Sequence, residues 1–253
     1  MEIKSVDELA LMREAGLVVA KTLEKIRSEI AAGMTTADLD ALARESIAGH
    51  GATSSFLGYH GFPAVICASV NDEVVHGIPG ERVIESDDIV SIDCGAIIEG
   101  WHGDAAISIV MPDAGGDIHM LSEATQSSLW AGLVQARVGH HLSDIGHAVE
   151  ECIRGAGGYG IVEEYVGHGI GSEMHMHPPV ANYGRPGRGP RLEVGMALAI
   201  EPMATMGTSN VQVLDDQWTV VTSDGAAAAH WEHSVAITDD GPWVLTSLEG
   251  TRL

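Results

Sequence analysis

The chain has 253 residues and a formal net charge of -23, and it is 45% hydrophobic but only 4% aromatic. This length fits one α/β unit or two small fused halves, and the negative charge disfavours direct binding to nucleic-acid phosphates because like charges repel. No apolar run reaches the roughly 18 to 20 residues of a membrane span, and the start lacks the pattern of a signal peptide, so we expect a cytoplasmic protein without membrane contact.

The first two predicted elements are helices. Ser5 and Glu8 form a capping box, after which apolar residues recur at helical spacing over 9–30 and Gly33 ends the run. A shorter helix is predicted over about 36–49. The predicted fold therefore begins with a pair of helices.

The number and spacing of the cysteines indicate the redox compartment. Cys67, Cys94 and Cys152 are odd in number, widely spaced and in no CxxC pair. Such spacing is typical of reduced thiols rather than of a disulfide framework or a zinc knuckle. It is consistent with the cytoplasm.

A second helix pair repeats the plan of the first. Apolar spacing predicts a long helix over 118–133 that ends near Gly139, and a short one over 145–153 that ends at Gly155. Six pairs match at one constant offset: Gly33 with Gly139, Asp38 with Asp144, Leu39 with Ile145, Ile47 with Ile153, Gly49 with Gly155 and Gly51 with Gly157.

Further matches in the same order indicate an ancient duplication. The tripeptide HGI occurs at His76 and again at His168, and DDIVSID matches VGMALAIE. We therefore expect one catalytic domain, 1–253, with an N-terminal half of about 1–112 and a C-terminal half of about 113–253. A pseudo-two-fold axis between the halves would be a natural place for a site.

Four β-like segments each contain one carboxylate: IVSIDC with Asp93, GDAAISIV with Asp104, MALAIEP with Glu201 and WEHSVAI with Glu232. Because strand side chains alternate between faces, each acid shares a face with small residues, while bulky aliphatics such as Val90 and Ile92 occupy the opposite face. Each strand therefore offers an aliphatic side to the helices and an acid to a cavity.

Four carboxylates in one cavity must share protons or bind cations. Only cations keep all of them ionised near neutral pH without severe repulsion. His168, in the Gly-rich stretch VGHGIG, would complete a set of oxygen ligands plus one imidazole, which suits Mn, Fe(II), Co or Zn. Although a lone histidine is usually not a ligand, His76 matches it in the repeat and His175 follows in the same region.

Taken together, five segments resemble the motifs of type I methionine aminopeptidases over nearly the whole chain: SFLGYHGFPAVICASVNDEVVHGIP, SIDCGAIIEGWHGDAA, YVGHGIGSEMH, LAIEPM and HWEHSVAI. The resemblance implies an α+β pita-bread (creatinase/aminopeptidase-like) fold, with two pseudo-two-fold-related αβ halves around a central antiparallel sheet. It also implies removal of the initiator methionine from nascent peptides with a small second residue.

The resemblance further implies the site residues. Two divalent metal ions (Mn, Fe(II), Co or Zn) would be held by Asp93, Asp104, His168, Glu201 and Glu232, with Asp104 and Glu232 bridging. A metal-bridging hydroxide would attack the peptide, with Glu201 as proton acceptor and shuttle. His175 would polarise the carbonyl or stabilise the oxyanion, and His76 would contact the peptide nitrogen.

For the substrate's methionine, the resemblance implies a pocket of aromatic and sulfur-bearing groups: Tyr59, Phe62, Cys67, Met174 and Trp218, with Phe56 and His60 near its mouth. Phe56, Phe62 and Met174 depart from residues that are common at these positions in the family. The additional histidine of MHMH, His177, is interpreted as surface or loop structure.

Other classes of protein with this fold are alternatives to a type I methionine aminopeptidase. Prolidases and aminopeptidase P carry an extra N-terminal domain, which we do not expect because the first helix begins at Ser5; the short interval from Glu201 to Glu232 excludes the helical insertion of type II enzymes. A non-catalytic binding protein with this fold would usually have lost ligands. The expected partners are nascent polypeptide N-termini, any ribosome contact would be brief, and we expect a monomer.

Overall fold

This computed structural model describes residues 2–253 of the chain. The described residues form four α-helices and fifteen strands, joined by loops. The helices are α1 (Val6–Glu29), α2 (Thr36–Gly49), α3 (Gly116–Gln135) and α4 (Leu142–Ala156), with a 3₁₀ turn at Tyr59–Gly61. The strands are β1 (Thr53–Ser54), β2 (Ile66–Val70), β3 (Glu73–Val75), β4 (Ile89–Ile98), β5 (Trp101–Val110), β6 (Gly160–Ile161), β7 (Gly167–Gly169), β8 (Met176–Val180), β9 (Ala197–Ile200), β10 (Met203–Thr205), β11 (Val211–Val213), β12 (Val220–Thr222), β13 (Ala228–His230), β14 (His233–Thr238) and β15 (Gly241–Val244).

The predicted helix boundaries agree with the structure at most ends. The Glu8 N–H donates to the Ser5 hydroxyl and the Ser5 N–H donates to the Glu8 carboxylate, which confirms the capping box. The third helix ends earlier than predicted, at Gln135. The reason is a turn after it, in which Gly139 adopts a φ of 84° and donates its N–H to the carbonyl of Leu192.

Two groups of antiparallel strands carry the predicted acids. In the first, β4 pairs with β1, β2 and β5, and β4 and β5 form a hairpin with register from Ile89↔Val110 to Ile98↔Trp101. The second has the order β15, β14, β9, β7, β8. The two groups meet at a pair of backbone hydrogen bonds between Ala106 and Glu232, with N···O distances of 2.9 and 3.4 Å.

The aliphatic faces of these strands form the main core, as the alternation predicted. Val90 and Ile92 from β4 are fully buried in the same cluster as Leu198 of β9 and Val235 of β14. Burial of one such side chain stabilises the fold by about 1.5 to 3 kcal/mol. The opposite faces of the strands carry the small residues and the acids, and these faces point away from the aliphatic core.

Two of the four acids lie at strand ends rather than inside strands. Asp93 and Asp104 are within β4 and β5, but β9 ends at Ile200, just before Glu201, and β14 begins at His233, just after Glu232.

Among the described helices, none has the length and apolar character that a bilayer span requires.

Candidate active site

The register of the β4–β5 hairpin brings the first two acids together. Asp93 pairs with Ala106, two residues beyond Asp104 on β5, so the two carboxylates are diagonal neighbours on one face of the sheet. Ser91 and Ser108 lie on the same face and share a buried 2.8 Å hydrogen bond between their hydroxyls. The small residues predicted on this face thus leave room around the acids.

The remaining ligand candidates arrive from the second sheet. His168 of β7 pairs with Ala199 of β9, and Glu201 follows two residues later on the same side of the chain. The His168 Nε2 lies 3.6 Å from Glu201 Oε1 and 3.9 Å from Asp104 Oδ2. Asp104, His168 and Glu232 each offer one ligand atom, and these atoms all lie within 4.8 Å of one another.

The donor set fits a divalent metal ion. Asp93 Oδ1, Asp104 Oδ1 and Glu232 Oε1 are buried and have no hydrogen-bond partner among the described residues. Burial, and then the neighbouring carboxylates, raises the pKa of Asp104 and of Glu232 well above the usual range. Without a cation these groups would hold protons, whereas bound cations would satisfy their oxygens and keep them ionised.

The imidazole in this cluster is suited to ligation. Burial, followed by the proximity of His175, lowers the pKa of His168 to about 3, so the ring is neutral at physiological pH. Its Nδ1 lies 2.9 Å from the carbonyl oxygen of Gly169, which orients the ring and leaves Nε2 directed at the carboxylates. Oxygen ligands with one nitrogen favour Mn, Fe(II), Co or Zn.

Sequence reasoning missed one histidine of the cluster. His230 is 1% exposed, and its Nε2 lies 3.6 Å from Glu201 Oε2 with no hydrogen-bond partner among residues 2–253. It stands two residues before Glu232, so strand alternation would have placed both on one face. That spacing was the available signal, although a role for His230 was not predicted.

A cavity of about 100 Å³ extends from the acids into an apolar pocket. Its wall contains all five predicted metal ligands and seven of the predicted substrate or catalytic residues, which are Tyr59, Phe62, Cys67, His76, Met174, His175 and Trp218. Val75 also lines it and was not predicted. His60 lies outside this wall, exposed, with its ring centroid 4.4 Å from that of Tyr59, and His177 is exposed, as interpreted.

The position of Phe56 corrects a prediction. It was expected near the mouth of the pocket, but it is 6% exposed and packs in the wall, with its ring 6.4 Å from that of Phe62 in an edge-on arrangement. Gly95 of β4 makes this possible, because a Cβ there would lie 2.8 Å from the Phe56 ring. The wall of the pocket therefore contains one more aromatic ring than predicted.

Two histidines border the cavity. The Nδ1 of His175 shares a 2.9 Å hydrogen bond with the hydroxyl of Tyr59, and its ring centroid lies 4.4 Å from that of His168. His76 contacts Tyr165 and Trp218 edge-on. Burial, with the nearby His230 and His175, lowers the pKa of His76 to about 4, and burial also lowers the pKa of His175. Both rings are therefore neutral near pH 7.

Buried carboxylates and a neutral imidazole at the end of an apolar pocket define a metal-dependent hydrolase, and comparisons with known proteins identify its family. The model of metallopeptidase family M24 matches residues 10–239. The chain belongs to this family.

Individual relatives cover almost the whole chain. The chain is 53% identical to methionine aminopeptidase 1 of Mycobacterium tuberculosis over 249 residues, 96% of this chain and 94% of that protein. It is 47% identical to methionine aminopeptidase 1 of Bacillus subtilis, over 96% of this chain and 98% of the relative. The crystal structure of the Thermotoga maritima methionine aminopeptidase superposes with a TM-score of 0.96 at 38% identity, covering 98% of this chain and 99% of the other. The α+β pita-bread fold expected from the sequence is thereby confirmed.

Proposed function

We propose that this chain removes the initiator methionine from nascent peptides with a small second residue, through the cavity described above. Relatives of nearly equal length are methionine aminopeptidases, so the chain is a metal-dependent aminopeptidase of this kind. One observation carries the proposal further: a carboxylate–histidine cluster and an apolar pocket share one cavity wall. A single peptide end can therefore present its side chain to the pocket and its first peptide bond to the acids.

The proposed ligands, which would hold divalent metal ions, are Asp93, Asp104, His168, Glu201 and Glu232. Convergence of five ligand groups and the unpartnered oxygens of three of them support this assignment. Divalent metal ions bound there supply Lewis acidity and lower the pKa of a water molecule so that it attacks near neutral pH.

Glu201 is the proposed proton carrier. Burial raises its pKa to about 8, and its carboxylate lies between the two buried imidazoles of His168 and His230, 3.6 Å from each. A bound cation would keep this carboxylate ionised, so that it could accept a proton from the attacking water and pass it to the leaving amine, as general acid–base catalysis requires. The Asn182 side-chain amide donates to the Glu201 carbonyl and holds its backbone in place.

His175 and His76 are proposed to orient the substrate. As neutral imidazoles they can each donate one N–H, His175 to the carbonyl oxygen of the first peptide bond and His76 to the peptide chain beyond it. The hydrogen bond between His175 Nδ1 and Tyr59 fixes the orientation of that ring. Both groups would stabilise charge that develops during attack.

The pocket favours methionine because its wall is soft and apolar. Phe56, Phe62, Cys67, Met174 and Trp218 surround it, and sulfur–aromatic contacts stabilise a thioether by about 0.3 to 1.5 kcal/mol each. Nascent polypeptide N-termini are the proposed substrates of a monomer in the cytoplasm, with at most brief contact to the ribosome.

Metal-stripped protein provides the test. Methionine release from a Met-Ala-Ser peptide is measured while Mn, Fe(II), Co and Zn are titrated separately, with Glu201→Ala as the inactive variant. The matched control is Glu193→Gln, an exposed acid near β9. We expect release that requires metal, disappears in Glu201→Ala and persists in Glu193→Gln. Folded protein that releases no methionine with any metal would instead support the non-catalytic binding protein.

A further inference from the structure

The start of the chain lies against the loop that carries two cavity residues. The loop, Gly171–His175, follows β7 and contains Met174 and His175. Glu2 accepts two hydrogen bonds from Ser172, one at 2.8 Å from its hydroxyl and one at 3.2 Å from its backbone N–H. This carboxylate thus binds both polar donors of one loop residue.

Lys4 anchors this contact. Its side chain is 1% exposed, and its Nζ lies 3.4 Å from Glu2 Oε2 and 3.3 Å from the Glu2 carbonyl oxygen, to which it donates. The Lys4 N–H also donates to the carbonyl of Gly195, at the turn that leads into β9. Because a buried ammonium without a partner is costly, Lys4 keeps Glu2 where it can meet Ser172.

The two titratable groups reinforce each other. Burial opposes ionisation of Glu2, but hydrogen bonds from Ser172 and the charge of Lys4 outweigh it and lower the pKa of the carboxyl. Burial lowers the pKa of Lys4, and the Glu2 carboxylate partly offsets that effect. The segment Glu2–Lys4 therefore packs against the loop with both the Glu2 carboxylate and the Lys4 ammonium group charged.

Gly171 shows how closely the segment approaches. A Cβ at this position would overlap the Glu2 carboxylate and the Lys4 side chain. On its other side, the Gly171 carbonyl accepts a 3.0 Å hydrogen bond from the N–H of His102, on β5 two residues before Asp104. The loop is therefore held between the N-terminal segment and the strand that carries a metal-ligand candidate.

We propose that Glu2 and Lys4 are positioning residues for the active site, which hold Gly171–His175 so that Met174 shapes the pocket and His175 reaches the substrate carbonyl. The effect on catalysis rests on the proposed function. The mechanical part does not, since it concerns the loop alone. Neither residue touches the cavity, so both act through Ser172.

Two variants weaken the contact from opposite sides. Glu2→Gln removes the charge that pairs with Lys4. Ser172→Ala removes the hydroxyl donor, and Ser172→Thr keeps it as the conservative variant. The control is Ser5→Ala, which weakens the cap of α1 without contacting the loop.

Two readouts are required. Amide hydrogen exchange of residues 171–175, measured in metal-free protein, should accelerate in Glu2→Gln and Ser172→Ala but not in Ser172→Thr or Ser5→Ala. With metal and Met-Ala-Ser, kcat should fall about tenfold in the first two variants, with a smaller change in KM, because small displacements of a catalytic group reduce the rate steeply.

The outcomes separate the two proposals. Unchanged exchange and kcat in both Glu2→Gln and Ser172→Ala would overturn the positioning role, as would an equal loss of kcat in Ser5→Ala. If the wild type releases no methionine but exchange still accelerates in the two variants, the proposed function fails while the hold on the loop is supported. Circular dichroism and the melting temperature establish that each variant is folded.

Discussion

The N-terminal region, 1–112, and the C-terminal region, 113–253, supply their carboxylates in different ways. In 1–112, the acids lie inside two strands of 10 residues each, and in 113–253 they flank strands of 4 and 6 residues. Asp93 and Asp104 sit on a rigid hairpin directly beside the cavity, so a short side chain is sufficient. Glu201 and Glu232 extend from strand ends, and their longer side chains reach the same cavity.

Two glycines at helix contacts differ in what surrounds them. In the first half, Gly103 of β5 lies against the backbone of Ala15 and Gly16 in α1, whereas in the second half Gly132 of α3 faces the side chains of Val149 and Ile145. Backbone cannot move aside, but side chains can change rotamer. Gly103 and Gly132 should therefore differ in their tolerance to substitution, whereas Gly146 of α4 lies against the backbone of Ala181 and Tyr183 and resembles Gly103 in this respect.

The largest expected effect concerns the metal. In the wild type, divalent metal at about 100 times its Kd should raise the free energy of unfolding by about 2.7 kcal/mol. Asp104→Asn and Glu232→Gln should each abolish this gain and methionine release. In metal-free protein, both variants should be more stable than the wild type near neutral pH, since each removes a buried carboxyl whose raised pKa in the folded state makes folding less favourable once the pH exceeds the pKa of the unfolded chain.

Calorimetry with and without Mn(II) measures both effects. Equal results for the two substitutions would mean that strand-interior and strand-end acids contribute alike to the metal site. Metal stabilisation that survives in Asp104→Asn would contradict its proposed role as a metal ligand. Glu193→Gln again serves as the control.

A smaller effect is expected at the two glycines. Gly103→Ala should lower the free energy of unfolding by about 1 to 3 kcal/mol, because its Cβ would lie 2.6 Å from the backbone nitrogen of Gly16. Gly132→Ala should be near neutral, since movement of Val149 relieves its contact and alanine favours a helix over glycine by about 1 kcal/mol. Urea unfolding of both variants checks this, and equal losses would remove the distinction between the two glycines.

The smallest effect concerns the first helix pair. Thr22 of α1 and Ser46 of α2 share a buried 2.8 Å hydrogen bond between their hydroxyls. Thr22→Val should cost about 1 to 2 kcal/mol because Ser46 is left without its partner, while the double variant Thr22→Val with Ser46→Ala should recover part of that loss. A double variant no more stable than the single one would show that the hydroxyl pair is not the cause.

Much of the site could be predicted from the sequence. The candidate ligands share a strand face with small residues or stand in a glycine-rich segment, and the structure brings all five to one cavity. His230 was missed although its spacing from Glu232 was informative, because an isolated histidine in a strand is more often a packed core residue. The two-half division remains a prediction.

The positions that could not be predicted depend on contacts between distant segments. Phe56 is buried in the pocket wall because Gly95, on a strand distant in sequence, leaves space for its ring. The contact of Glu2 with Ser172 joins residues 170 positions apart. No local pattern encodes such pairs.

The sequence by itself determined the helices, the aliphatic and acidic strand faces, and the residue types at the metal site, because periodicity, capping and side-chain chemistry are local properties of the chain. The three-dimensional packing brings the distant acids into one cavity, buries Phe56 in its wall, and places Glu2 against the loop that carries His175. These features depend on how separate segments pack, and packing is decided by the whole fold.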